Sequence, residues 1–204
     1  MKNLLSILGI LLIALALPFA RMAVEPLTAT TNVAPEVREG DVIFQTTTSE
    51  QSPMIQLATR SRISHCGIIV MKDGKPYVLE TLKTLKLTPL NRFIVRGKGC
   101  RYWLKRSDKK DIKIKYDHYL GKPYDAAFRL DNDIYYCSEL VYDIYKKQLG
   151  IELCKPKKIK DYAILGIENL PVIKKTMNRR GINKEHYAVA PVDVFNSAEL
   201  KRVK

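Results

Sequence analysis

Hydrophobic positions change rhythm along the chain. In the first half they come in short runs separated by turn residues. Gly40-Asp41 opens Val42-Ile43-Phe44, a turn followed by a short buried strand. Met54, Leu57 and Ala58 lie at helical spacing within Ser49 to Arg60, behind Ser52-Pro53, with proline at the first helical position. Cys66 to Met71 contains the unbroken run Gly67-Ile68-Ile69-Val70 and predicts a central strand. Asp73-Gly74 is a hairpin signal, and Pro76 to Thr81 is its partner strand. Further strands are expected at Thr84 to Pro89, at Val95 and at Arg101 to Leu104, with Cys100 in a strand setting.

The second half reads as helical. Ile112, Tyr116 and Leu120 are four residues apart and predict a helix over Asp111 to Leu120, broken by Gly121-Lys122-Pro123-Tyr124. Tyr136 to Leu149 gives the strongest helix: Cys137, Leu140, Val141, Ile144 and Tyr145 share one face, and Gly150 follows as a C-cap. A short helix is expected at Ile159 to Leu165, a strand at Tyr187 to Ala190, and a turn with a short helix at Pro191 to Leu200. Strands first and helices later indicate an α+β fold with an antiparallel sheet or small barrel packed on helices.

Leu4 to Ala20 carries no charge and follows Lys2. Residues 1–23 therefore read as a secretory signal peptide or an N-terminal membrane anchor, with export to the periplasm, cell envelope or medium. Residues 24–37 mix Thr, Pro, Ala and Asn without periodicity and read as a linker. One domain is then expected over residues 38–204.

The 204 residues carry 35 Lys and Arg against 21 Asp and Glu, a net charge of +14. That charge favours anionic partners, and export narrows them to an anionic envelope surface. Nucleic acid is not expected, because no basic stripe is interleaved with aromatics. A monomer is expected. Four cysteines, at 66, 100, 137 and 154, are too few for a disulfide scaffold and lack metal-ligand spacing. Nucleotide-binding glycine motifs and the H-E-x-x-H zinc motif are absent, so neither a cofactor nor a metal is expected.

Nucleophilic catalysis is what the remaining residues suit. His65 opens the most apolar strand, and Glu80 ends its hairpin partner near the same edge, with a two-residue offset that a bulge or diagonal pairing absorbs. Glu80 can then fix the imidazole tautomer. Cys137 begins the strongest helix, where the positive dipole end and unpaired amides stabilise a thiolate and an oxyanion. Cys, His and carboxylate make a papain-style constellation. Cys66 reads as core, His118 as incidental, His186 as a fallback base, and Tyr124 as a packing aromatic or a substrate-binding residue lining the site.

Five segments in order, Gly40-Asp41-Val42-Ile43-Phe44, Ser64-His65-Cys66-Gly67-Ile68, Val78-Leu79-Glu80, Gly121-Lys122-Pro123-Tyr124-Asp125 and Tyr136-Cys137-Ser138-Glu139-Leu140, carry a resemblance. The chain resembles the YiiX/YebB-like group of circularly permuted NlpC-type cysteine hydrolases, within the papain-like superfamily. The order His, Glu, Cys is the permuted one. The resemblance implies a permuted papain-like fold, Cys137 as nucleophile, His65 as general base and acid, and Glu80 as orienter. It implies an amide or ester substrate in a peptide, a cell-wall peptide or an acyl-lipid. The leading expectation is a cysteine hydrolase acting on a peptide or cell-wall peptide amide through a thioester. The rivals are a lipid acyltransferase or thioesterase, and a non-enzymatic envelope-binding module.

Overall fold

The computed structural model describes residues 36–162 and 170–203. The expectations for residues 1–23, for most of the linker and for the end of the short helix at 159–165 fall outside these residues. Strand β1 (Val42–Gln45) leads into helix α1 (Ser52–Thr59), and β2 (His65–Lys72) turns into β3 (Lys75–Thr81) and then β4 (Leu85–Pro89). Helix α2 (Leu90–Arg96), strand β5 (Trp103–Arg106) and the long helix α3 (Cys137–Leu149) follow. The chain ends with β6 (Lys157–Lys158), α4 (Pro171–Arg180), β7 (Tyr187–Ala188), α5 (Pro191–Phe195) and β8 (Lys201–Arg202). Six strands make one antiparallel sheet in the order β4-β3-β2-β1-β5-β8, and β6 pairs with β7 separately. The fold is α+β, with an antiparallel sheet packed on helices.

Alternation explains both faces of the sheet. Val42, Phe44, Cys66, Ile68, Val70 and Leu79 join the core that contains Cys137, Leu140, Val141 and Ile144 of α3. Ile43, Ile69 and Val78, one residue out of phase, pack with Leu90 and Phe93 of α2. A strand covered on both faces must be apolar at every position, which accounts for the unbroken run in β2. The hairpin turns where both Asp73 and Gly74 take left-handed backbone, with φ of 51° and 70°. That double requirement is the reason for an Asp-Gly pair there.

Two expected elements take other forms. Asp111 to Leu120 is extended with one 3₁₀ turn at Asp117–Tyr119, rather than an α-helix. Asp111 sits at φ 54°, which a helix cannot use. The amides of Ile114 and Lys115 donate to the side chains of Glu39 and Gln148 instead of to carbonyls one turn back. The governing period is two: Ile114 is buried between exposed lysines. Val95 lies in α2, not in a strand, because Leu90 and Phe93 bury an i, i+3 pair against the sheet. Cys100 is therefore in an exposed turn rather than a strand.

Candidate active site

Register sets the first pair. The β2–β3 ladder pairs Ile68 with Leu79, so the next rung puts Gly67 opposite Glu80 and leaves His65 diagonal to Glu80. His65 Nε2 and Glu80 Oε2 are 2.6 Å apart. Gly67 makes that diagonal possible. A Cβ there would stand 2.4 Å from Val78 Cγ1, 2.9 Å from the Leu79 carbonyl oxygen and 3.3 Å from Glu80 Cβ. Gly67→Ala is expected to cost about 1–3 kcal/mol of stability through overpacking against fixed backbone. Equilibrium denaturation measures this, and unchanged stability would refute the steric role.

The segment before His65 is tied down as well. Ser64 Oγ accepts the Thr47 amide at 3.0 Å and receives the Ser52 hydroxyl at 2.6 Å, joining β1, α1 and the start of β2. The His65 ring stacks on Phe93 of α2, with centroids 5.8 Å apart. Both His65 and Glu80 are buried, the carboxylate fully.

Cys137 is the first residue of α3, after Tyr136 in extended backbone. Helical geometry gives the first amides of this turn no intrahelical acceptor, so the helix start carries a positive dipole end beside the Cys137 sulfur. The start of the helix is fixed from three sides. The Glu139 carboxyl accepts the Tyr136 amide at 3.3 Å. Ser138 Oγ donates to the Val189 carbonyl at 2.7 Å, and the Val189 amide donates to the Tyr136 hydroxyl at 2.9 Å. Burial raises the Glu139 carboxyl to about 9, so at neutral pH it is uncharged and does not cancel the positive helix end beside the thiol.

Cys137 and His65 are close enough to shift each other's protonation. Because Glu80 engages Nε2, Nδ1 is the nitrogen left for sulfur. Burial pulls the imidazole down, but Cys137 and then Glu80 more than reverse this, raising it to about 9. Burial pushes the Glu80 carboxyl up, and His65 and Arg96 overcome it, bringing it to about 2. The Cys137 thiol is held well below its ordinary range, first by a hydrogen bond from Cys66 and then by the charge of His65, against its own burial. The three shifts favour a thiolate–imidazolium pair steadied by a carboxylate.

Cys66 is core, as the sequence suggests, but its thiol also acts on the Cys137 sulfur. Its own thiol is pushed well above the normal range by burial, so it stays protonated and donates to Cys137. The sequence alone gives it no part in the site, since a small apolar residue inside a strand carries no signal of a contact made across the fold. Arg96, which donates to Glu80 Oε2 at 2.5 Å, goes unsignalled for the same reason. Tyr124 stands beside the site: its hydroxyl donates to Gln51 at 2.8 Å, and its phenol, raised by burial, also feels Cys137. His118 lies against the Tyr119 ring, tilted, with centroids 4.0 Å apart. His186 borders a different hollow, with Glu185 and Tyr187.

A cleft of about 100 Å³ opens onto Cys137 between α1, α4 and the 188–191 segment. Met54, Ile55, Phe128, Ile173, Met177 and Val189 contribute to walls that are almost wholly apolar.

Comparison with known proteins assigns the family. Residues 36–204 match the model of peptidase family C92, described as a permuted papain-like amidase enzyme, YaeF/YiiX. The uncharacterized protein YiiX of Escherichia coli (strain K12) is 34% identical over 171 residues, covering 80% of this chain and 84% of that protein. The crystal structure of a protein described as metalloprotein yiiX, from Escherichia coli O157:H7, superimposes with a TM-score of 0.71 at 34% identity, covering 82% of this chain and 96% of that one. A papain-like enzyme of the cysteine-hydrolase type is what such a family makes, and the chain belongs to the YaeF/YiiX family of permuted papain-like amidases.

Proposed function

We propose that the protein is a cysteine amidase in which Cys137 attacks the carbonyl, His65 moves the proton and Glu80 orients His65. The thiolate adds to the carbonyl carbon, and the Cys137 backbone amide steadies the oxyanion. The imidazolium then protonates the leaving amine as the thioester forms. Water, deprotonated by His65, releases the acid and restores the thiolate–imidazolium pair. The chemical support is the mutual bias of the three groups: a lowered thiol, a raised imidazole and a lowered carboxyl.

The apolar cleft carries the choice of substrate. A cell-wall peptide presents charged and hydroxyl groups, which apolar walls leave without hydrogen-bond partners. An aliphatic acyl chain loses nothing there and gains about 0.8 kcal/mol per buried methylene. We therefore favour an amide, or a related ester or thioester, whose acyl side is aliphatic, over the peptide substrate that the sequence brought forward. A series of acyl-anilides from acetyl to decanoyl tests this. The expected result is a rise in kcat/KM of about fourfold per methylene until the cleft is filled. A flat series together with turnover of muropeptides would return the peptide reading. An inert protein whose Cys137 also fails to alkylate selectively would support the binding-module reading.

The apolar N-terminal stretch supports export, and the net charge of +14 supports residence at an anionic envelope surface. Among the described residues no helix is long and apolar enough to cross a membrane. The similar protein from Escherichia coli O157:H7 is described as a metalloprotein. Among the described residues here, no group of three or more His, Cys, Asp or Glu side chains is arranged to hold a metal ion, and the mechanism routes no step through one.

A further inference from the structure

Helix α2 has only seven residues, yet it touches both partners of the buried pair. Phe93 and Arg96 are three apart and share a face. Phe93 lies under the His65 ring, and Arg96 reaches Glu80, with its guanidinium 5.4 Å above the Phe93 ring. The helix ends just after Arg96 because Gly97 must pass very close to β1. A Cβ on Gly97 would stand 2.6 Å from Gln45 Oε1 and 2.9 Å from the Arg101 carbonyl oxygen. Gln45 in turn pairs with His65 across the β1–β2 ladder. Just past Gly97 the Lys98 amide donates to the Thr46 carbonyl at 2.8 Å, so the end of α2 is tied beside the site.

We propose that Arg96 is a positioning residue that holds Glu80 in place as a carboxylate while His65 gains and loses its proton. This rests on the Cys137–His65–Glu80 reading above. When His65 gives its proton to the leaving amine, Glu80 faces a neutral imidazole. A fully buried carboxylate without a counter-charge is costly and would protonate or turn away. Arg96 is a charge that never leaves. Both His65 and Arg96 bond the same oxygen, Oε2, and Glu80 Oε1 has no hydrogen-bond partner among the described residues. The carboxylate is thus gripped by one atom between two donors, and losing either lets it swing.

Among the described residues, the charged or titratable groups that act on His65 are Cys137 and Glu80, those that act on Glu80 are His65 and Arg96, and the Cys66 thiol, which feels Glu80 and Cys137, stays protonated. This makes the sign of the effect diagnostic. If Arg96 were only a nearby positive charge, its removal would make His65 more basic. If it positions Glu80, its removal weakens the imidazolium's partner and makes His65 less basic.

The test is an NMR titration of the His65 imidazole in the full chain, which needs no substrate. Arg96→Gln is expected to lower the His65 midpoint by about one pH unit. Hydrolysis should lose about 10- to 100-fold in kcat, as when outer partners of an orienting group are removed, with KM nearly unchanged. Arg96→Lys keeps the charge and one donor and should recover most of the shift. Arg96→Met preserves the packing on Phe93 and replaces the glutamine variant if that one does not fold. A His65 midpoint that stays or rises in Arg96→Gln or Arg96→Met overturns the proposal. Glu80→Gln separates the two failures: if it too leaves His65 unmoved, the triad reading falls. If Glu80→Gln lowers His65 and the Arg96 variants do not, only the role of Arg96 falls.

Discussion

Cys137→Ser is expected to lower hydrolysis by about 10⁴-fold or more, the scale of loss when a nucleophile that works with a partnered base is removed. The substitution is nearly isosteric in a buried position, so the fold should survive. What disappears is the charge pair. His65 is tuned upward to about 9, and the thiolate is its largest favourable partner. A serine hydroxyl cannot supply that anion near neutral pH. The same variant should therefore show a second, independent change: the His65 midpoint falls well below 9, because burial still pulls it down while only Glu80 pulls it up. Turnover of the best acyl-anilide and NMR titration of His65 measure the two effects. Retained hydrolysis in Cys137→Ser, at an unchanged melting temperature, would assign the chemistry to another residue. The alkaline limb of the wild-type rate profile should lie near pH 9, where the imidazolium that protonates the leaving group is lost.

Local signals carry the strands, the hairpin and the helix of Cys137. Asp73-Gly74 specifies both left-handed turn residues. The position of Gly150, at φ 71° after Leu149, caps α3 as its composition suggests. The pairing of His65 with Glu80 is also legible, because counting outward from a two-residue turn fixes which residues are diagonal neighbours. Illegible positions depend on contacts distant in sequence. The amides of residues 114 and 115 find side-chain acceptors on Glu39 and Gln148, far along the chain, and these outweigh a four-residue spacing that would otherwise suit a helix. Val95 reads as a strand residue because a short helix with two buried residues has too little periodicity to distinguish from a strand. Cys66 and Arg96 stay hidden because their importance lies in which atom they act on, Cys137 sulfur and Glu80 Oε2, and neither interaction leaves a pattern along the chain. The apolar cleft is equally hidden, since α1, α4 and residues 188–191 contribute its walls from three separate stretches.

Iodoacetamide at pH 6 should modify Cys137 well ahead of the other three cysteines. An ordinary thiol, with a pKa near 8.5, is only about 0.3% ionised at that pH. A thiol held as thiolate gains roughly 100-fold or more in reactive fraction, part of which is returned because a less basic sulfur is a weaker nucleophile. Cys66 and Cys154 are poor competitors: burial raises both, Cys154 to about 12, and Cys66 is inaccessible. Cys100 is exposed, so access does not protect it, and it is the thiol against which Cys137 must be compared. Cys137 is buried but lines the cleft, which a reagent of this size can enter. The cause can be divided by substitution. His65→Ala removes the imidazolium and Cys66→Val removes the thiol donor, so each should move the midpoint of Cys137 labelling to higher pH. Cys66→Val keeps the volume and the apolar packing, which isolates the hydrogen bond from the fold. Mass-spectrometric mapping across pH 5 to 9 reads all four sites at once. If Cys137 reacts no faster than Cys100 at pH 6, or if neither substitution moves its midpoint, the sulfur is an inert core thiol and the helix end beside it does no chemistry.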